Sequence, residues 1–243
     1  LQPARKEAKK QAMLFHFSRS VSLLVLLPLF IACGTRPQAP RRPPPAPLEI
    51  LARAAAFDLI DVSRAIPNLD IALPYASSEN VAGRPVYPQR MPCLLRRSTA
   101  QKLAYAQYLL NQQGYGLLLW DAWRPPEAQI TLISQAPHPE LFMDPKENWS
   151  GHCAGVSVDV TLVDAKGHPQ LMPTGYDESS PHTGYHYRGG STTIAYNLHR
   201  LQSAMHQAGF SLLPGEWWHF DDKDFLSQPT PVVSAVQIGL ILP

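Results

Sequence analysis

Two short stretches hold the residue types that carry out hydrolytic chemistry. One is Ser150-Gly151-His152-Cys153-Ala154-Gly155-Val156-Ser157-Val158-Asp159, and the other is Glu216-Trp217-Trp218-His219. Two imidazoles and a carboxylate, His152, His219 and Asp159, make a three-ligand set for one zinc ion per chain, with a fourth position open. The remaining carboxylate, Glu216, can take a proton from a water that attacks a carbonyl. The oxyanion formed then needs positive charge beside it, and Arg124 is the cation placed to supply it. Each residue taken alone has a bland rival. A lone histidine is usually structural, a Trp-Trp pair is usually core, and Glu216 could simply pair with a lysine. His182 and His186 form a rival metal pair at i, i+4, but Pro181 and Gly184 oppose a helix there, so they read as rim or surface residues. His138 and His168 read as loop residues.

The elements that must position these groups follow from periodicity. Ser98-Thr99-Ala100-Gln101 has the form of a capping box. Leu103, Ala106, Leu109 and Leu110 follow at helical spacing, which predicts a helix over Ser98–Gln113 closed by Gly114. Gly116–Trp120 is an apolar run that reads as a buried strand ending at Asp121-Ala122-Trp123-Arg124. Pro125 and Pro126 open a short helix to about Gln135. Val156–Val163 alternates and is β-branched, so Asp159 lies on a strand and His152 in the loop entering it. Ile194, Leu198, Leu201 and Met205 share one face of a helix from Thr192 to Gln207. Phe210–Leu213 and Glu216–Phe220 read as a hairpin with Pro214-Gly215 in the turn. Positions three apart on a straight strand face opposite ways, so Glu216 and His219 converge only if that strand twists or bulges. This order of elements predicts an α+β domain with helices on a mostly antiparallel sheet.

The first residues read as delivery rather than fold. Residues 1–12 look like an upstream extension before Met13. Val21 to Ala32 is an apolar run broken by Ser22 and Pro28, which suits a signal-peptide core better than a membrane span. It ends in Ala32-Cys33-Gly34, which resembles a bacterial lipoprotein signal in which Cys33 becomes the lipidated first residue. An ordinary cleaved signal or an anchor are the alternatives. All of these place the domain outside the cytoplasm, and the lipoprotein reading makes it a periplasmic or outer-membrane lipoprotein held to the membrane through Cys33. Residues 33–48 are a proline-rich tether, leaving 49–243 as one domain with a real core. Residues 1–32 carry five basic side chains and one acid, so their removal turns a formal charge of +2 into −2. Nothing in that balance points to a nucleic-acid partner. Cys93 and Cys153 could form a disulfide that pins the metal loop in an oxidising compartment. Two buried thiols, or Cys153 as a zinc ligand, are the other readings.

Together, Trp120-Asp121-Ala122-Trp123-Arg124-Pro125, Ser150-x-His152-x-x-Gly155-x-x-x-Asp159 and Glu216-Trp217-Trp218-His219 resemble the VanX-type D-alanyl-D-alanine dipeptidases, zinc enzymes of the hedgehog-like fold. The likeness runs from about Asp58 to Asp222. It includes Pro74-Tyr75-Ala76, Asn80, Gly83-Arg84-Pro85-Val86-Tyr87 and Cys93-Leu94-Leu95-Arg96. It implies zinc on His152, Asp159 and His219, Glu216 as base, and Arg124 stabilising the transition state with Asp121 orienting it. Tyr75, Ser150 and Asp177 match pocket positions, and Asp177 would accept the ammonium of a D-Ala-D-Ala substrate. Cys153-Ala154 departs from the Ser-Arg common after the first histidine. Residues after about Asp224 have no clear counterpart and could add an edge strand or a partner contact. The implied activity is cleavage of D-alanyl-D-alanine to two D-alanines, in recycling of peptidoglycan dipeptide. Alternatives are a related D,D- or L,D-carboxypeptidase or endopeptidase, or a non-catalytic zinc-binding module. The last would be expected to lack the base or the arginine.

Overall fold

The structure, a computed structural model, describes residues 43–227 and 230–243. The signal-like run, Cys33 and most of the proline tether lie outside the described residues. The end of the tether is already docked, since Ala46 is buried and Arg90 Nε donates to Pro45 O at 2.9 Å. Among the described residues no helix is long and apolar enough to cross a membrane.

In chain order the elements are α1 (Leu48–Ala55), β1 (Leu59–Asp61), α2 (Val62–Ala65), β2 (Asp70–Ile71), β3 (Leu94–Arg96), α3 (Arg97–Asn111), β4 (Tyr115–Asp121), α4 (Pro126–Gln135), α5 (Gly151–Ala154), β5 (Ser157–Asp164), α6 (Thr192–Gln207), β6 (Phe210–Leu213), β7 (Glu216–Asp222) and α7 (Ala235–Ile238). A five-stranded sheet runs β2-β4-β5-β7-β6, antiparallel except for the β2–β4 edge, and β1 and β3 form a separate antiparallel pair. This is the expected α+β architecture. Alternation on β5 explains how one sheet serves both core and site. Val158, Val160 and Leu162 join the core with Leu103, Ala106 and Leu110 of α3 and Leu198, Leu201 and Met205 of α6. The intervening Ser157, Asp159 and Thr161 point the other way and are buried polar groups.

Three local expectations change. The Ser98 capping box does not form. The helix begins at Arg97 without a side-chain cap, and the Thr99 hydroxyl instead donates to Asp222 Oδ2 at 2.8 Å, tying α3 to β7. A long-range bond to a buried carboxylate wins over a local cap because it also satisfies that carboxylate. His152 lies in a one-turn helix rather than a loop. Residues 230–243 form a strap with a short helix, α7, rather than an edge strand.

The hairpin meets the condition set by Glu216 and His219. Leu212 pairs with Phe220 but Leu213 pairs with Glu216, so residues 217–219 bulge out of the ladder. The Trp217 amide donates to Thr183 O at 2.9 Å instead of to β6. A second bulge interrupts β4, where Leu119 faces Val160 and Asp121 faces Asp159, leaving Trp120 as the extra residue.

Cys93 and Cys153 are both buried free thiols, so the disulfide reading is not realised. Burial pushes the Cys153 thiol up to about 12, far from reactive thiolate. Alkylation of the unfolded, unreduced protein followed by peptide mapping is expected to label both cysteines. A linked pair of peptides would contradict the fold described here.

Candidate functional site

Asp121, Asp159 and His219 stand opposite one another on three neighbouring strands, β4, β5 and β7. Directly opposed residues in antiparallel pairs point to the same face, so the row delivers three polar side chains to one place. His152 joins them from α5, the turn that leads into β5. Two glycines allow that turn. A Cβ on Gly151 would collide with Ser157 Oγ, and Gly155 closes α5 in the left-handed conformation at φ +73°. Ser150 caps the turn, its Oγ accepting from the His152 amide at 3.3 Å.

The tautomers of both histidines follow from their partners. His152 Nδ1 lies 2.7 Å from Ala122 O, and a carbonyl can only accept, so Nδ1 carries the proton and Nε2 a lone pair. His219 Nε2 lies 3.0 Å from Asp221 Oδ1, which leaves Nδ1 free in the same sense. The two free nitrogens are 3.1 Å apart, and Asp159 Oδ1 lies 3.2 Å from one and 3.0 Å from the other. Two lone pairs and a carboxylate oxygen thus converge where only a cation satisfies all three. This donor set fits a zinc ion, and the three residues are the metal-capable cluster found among the described residues. Burial opposes the charge on Asp159, but positive charge on the His152 and His219 side holds its carboxyl well below the usual range, and with both rings as neutral ligands a bound zinc ion would supply that charge.

Arg124 is buried beside this cluster. Its Nε donates to Asp121 Oδ2 at 2.8 Å and Nη1 to Gln129 Oε1 at 2.7 Å, while Nη2 is 3.5 Å from Asp159 Oδ2. Tyr75 and Phe142 present ring faces to it at 5.3 and 5.5 Å. Asp121 is itself fixed by the Tyr87 hydroxyl at 2.8 Å. The orienting role expected of Asp121 therefore has its geometry.

The cluster opens onto a cavity of about 790 Å³, lined among others by Arg124, Ser150, Asp177 and Glu216. Burial pushes the Glu216 carboxyl up to about 7, with His219 pulling it down and Asp159 pushing it up. A carboxylate poised near neutrality suits a proton acceptor. Asp177 is likewise pushed up to about 7 by burial. Its backbone sits at φ +54°, in the left-handed region, and its side chain accepts from the Tyr75 hydroxyl at 2.6 Å. Tyr75 does not line the cavity, contrary to expectation. It lies beneath it, fully buried, and reaches it through Asp177. The Tyr176 hydroxyl links the two halves of the site, 2.7 Å from Asp159 Oδ2 and 3.2 Å from the Tyr75 hydroxyl.

His182 and His186 are exposed and outside the cluster, and His138 and His168 pair with Glu140 and Asp164 in loops, all as expected. Reading the sequence missed Gln129, Tyr176 and Asp221. Only Asp221 left a usable signal, standing two residues beyond His219 on an alternating strand and so on the same face.

The comparisons with known proteins agree with this geometry. Residues 55–235 match the peptidase M15 family, described as D-Ala-D-Ala dipeptidase. The chain is 31% identical over 172 residues to the D-alanyl-D-alanine dipeptidase of Escherichia coli K12, covering 71% of this chain and 88% of that protein. It is 32% identical over 174 residues to the D-alanyl-D-alanine dipeptidase of Enterococcus faecium, covering 62% of this chain and 84% of that protein. The match extends past Asp224 into the strap, further than the motifs alone reach.

Two outcomes follow. Asp221→Asn, which unfixes the His219 tautomer, is expected to weaken zinc binding by about 10–100-fold in chelator competition. Asp177 holds a proton in the folded state between its unfolded pKa of about 3.9 and the folded value of about 7, so stability falls as pH rises through that window. Asp177→Asn removes that loss, and asparagine tolerates the left-handed backbone. Urea unfolding of the metal-free variant at pH 8 is expected to show a gain of up to about 4 kcal/mol, closing toward pH 4.

Proposed function

Because the chain belongs to the peptidase M15 family of D-Ala-D-Ala dipeptidases, we propose that it hydrolyses free D-alanyl-D-alanine to two D-alanines. One observation carries the reading beyond kinship. Asp177, a buried anion, shares one cavity with the His152–Asp159–His219 cluster and is joined to it through Tyr75 and Tyr176. A substrate cut one residue from its amino terminus presents an ammonium beside the scissile carbonyl. An internal peptide bond does not.

Zinc held by His152, Asp159 and His219 supplies Lewis acidity that polarises the scissile carbonyl and acidifies water. The chain's own groups do the rest. Asp177 receives the ammonium and so sets which bond is presented. Glu216 takes the proton of the attacking water and passes it to the departing amine. Arg124, locked by Asp121 and Gln129, offers its remaining N–H groups to the oxygen that gains charge. Ser150 lines the wall beside His152.

The cavity volume favours one second reading. About 790 Å³ falls in the range that holds drug-sized ligands, larger than two alanines. A carboxypeptidase or endopeptidase acting on peptidoglycan peptides would use such space. Turnover of free D-Ala-D-Ala set against a pentapeptide ending in D-Ala-D-Ala, with D,D-, L,D- and L,L-dipeptides beside it, separates the two. A chain that cleaves the pentapeptide better than the dipeptide is not the dipeptidase proposed. A non-catalytic zinc module is disfavoured because Glu216 and Arg124 are both present.

The recycling role and the site of action belong to the same proposal. They rest on the signal-like run ending at Cys33, which would tether the domain outside the cytoplasm, where wall-derived dipeptide arises. Mass spectrometry of the cell-derived protein for acyl chains on Cys33 tests that part.

Glu216→Gln is expected to keep its zinc and lose about 10²–10⁴-fold in kcat. In the parent, activity is present above the Glu216 pKa and falls as pH drops through it. Full turnover by the zinc-loaded variant would remove Glu216 from the mechanism.

A further inference from the structure

We propose that the C-terminal strap, residues 230–243, is a positioning element that clamps together the two loops bearing His152 and Arg124. The inference rests on the functional reading only for what those two residues do. Its geometry stands separately.

The two loops are first bonded to each other. His152 Nδ1 donates to Ala122 O at 2.7 Å, and the Arg124 amide donates to His152 O at 3.1 Å. The strap adds a third side to this join. Val233 meets both loops at once: its amide donates to Cys153 O at 3.0 Å, and its carbonyl accepts from Trp123 Nε1 at 2.9 Å. Cys153 follows His152, and Trp123 precedes Arg124. Arg96 repeats the connection one step away, donating from Nη2 to Pro231 O at 2.7 Å and from Nε to Ala154 O at 2.8 Å. Beyond Val233 the Ala235 amide donates to Glu127 Oε2 at 3.1 Å, in the first turn of α4, two residues before the Gln129 that holds Arg124.

The far end is anchored apart from the site. Ile238 is fully buried, and α7 packs on α1 with a complete capping box from Ser234 and Gln237. The strap is therefore held at one end by the core, while its near end fixes the Cys153 carbonyl beside a metal ligand and the Trp123 indole beside the buried cation. Misplacement of a reacting group by about 1 Å can cost about 100-fold in rate, so that is where a clamp matters. Val232 of the strap also lines the cavity, so the same segment forms part of its wall.

The test uses the full chain and one small change. Trp123→Phe keeps an aromatic ring in the core and deletes the N–H that reaches Val233, along with part of the buried indole, so Arg96→Lys, which leaves that packing intact, is read beside it. Leu110→Ala, in α3 and away from strap and site, serves as a control that lowers stability to a similar or larger extent. At a temperature where both variants are folded, Trp123→Phe is expected to raise the zinc Kd about tenfold in chelator competition. It should also lower kcat about tenfold with KM within about twofold. Arg96→Lys should move both readouts the same way, and Leu110→Ala should move neither. If Trp123→Phe and Arg96→Lys lower the melting temperature but leave zinc Kd and kcat where Leu110→Ala leaves them, the strap is only structural and the proposal fails. The zinc readout needs no dipeptide, so an error in the assigned substrate would show as absent turnover with the zinc shift intact.

Discussion

The structure depends on one arrangement that would be unfavourable without a cation. His152 Nε2, His219 Nδ1 and an Asp159 oxygen meet at 3.0 to 3.2 Å, with the imidazole protons committed elsewhere. With both rings neutral, acceptors face acceptors in a buried site and repel; burial disfavours a second proton on His219, but Asp221 and Asp159 raise its pKa well above the usual value, so positive charge is drawn to this point. A metal ion turns the repulsion into ligation. Ala122 O and Asp221 act from outside the cluster. They decide which nitrogen of each ring faces inward.

The sheet makes that arrangement by breaking its own regularity twice. A regular β4 would turn Asp121 away from Asp159, and a regular β7 would put Glu216 and His219 on opposite faces. The extra residue at Trp120 and the excursion at 217–219 each correct one of these. Both bulges carry tryptophans: Trp217 and Trp218 of the β7 excursion are 1% and 0% exposed, and Trp120 of the β4 bulge is partly buried against the core. The aromatic residues between the polar ones are therefore the core of the bulge, and burying them offsets the ladder bonds lost there.

What the chain discloses on reading follows from how far apart the cooperating residues are. His152 and Asp159, or Glu216 and His219, sit within a few positions of each other, so residue type and element period expose them. The helix over 192–207 and the Pro214-Gly215 hairpin were legible for the same reason. The need for a bulge in β7 could even be stated as a geometric condition before the fold was in hand. Tyr87 holding Asp121 spans 34 positions, and Tyr75 holding Asp177 spans 102. No local pattern marks such pairs, because only the closed fold creates them. The failed capping box at Ser98 is the converse case. A local signal was present, but a distant carboxylate, Asp222, had the stronger claim on Thr99.

The charges around the cavity explain what the site selects. Asp159, Asp177, Glu216 and Asp221 line it, with Arg124, held from behind by Asp121, as the fixed cation among them. Such an excess of carboxylates in a desolvated place destabilises the empty fold, as the upward shifts of Asp177 and Glu216 record. A divalent ion cancels part of it, and a substrate ammonium at Asp177 cancels more. A dipeptide zwitterion brings that ammonium, whereas a peptide acylated at the same nitrogen brings a neutral amide and leaves Asp177 unpaired. Burying an uncompensated carboxylate costs more than a missing contact, so the acidic wall discriminates by penalty as well as by attraction. The left-handed backbone at Asp177 fits the same logic. A strained residue is kept where the fold needs an anion aimed at one point, and Tyr75 beneath it keeps the aim.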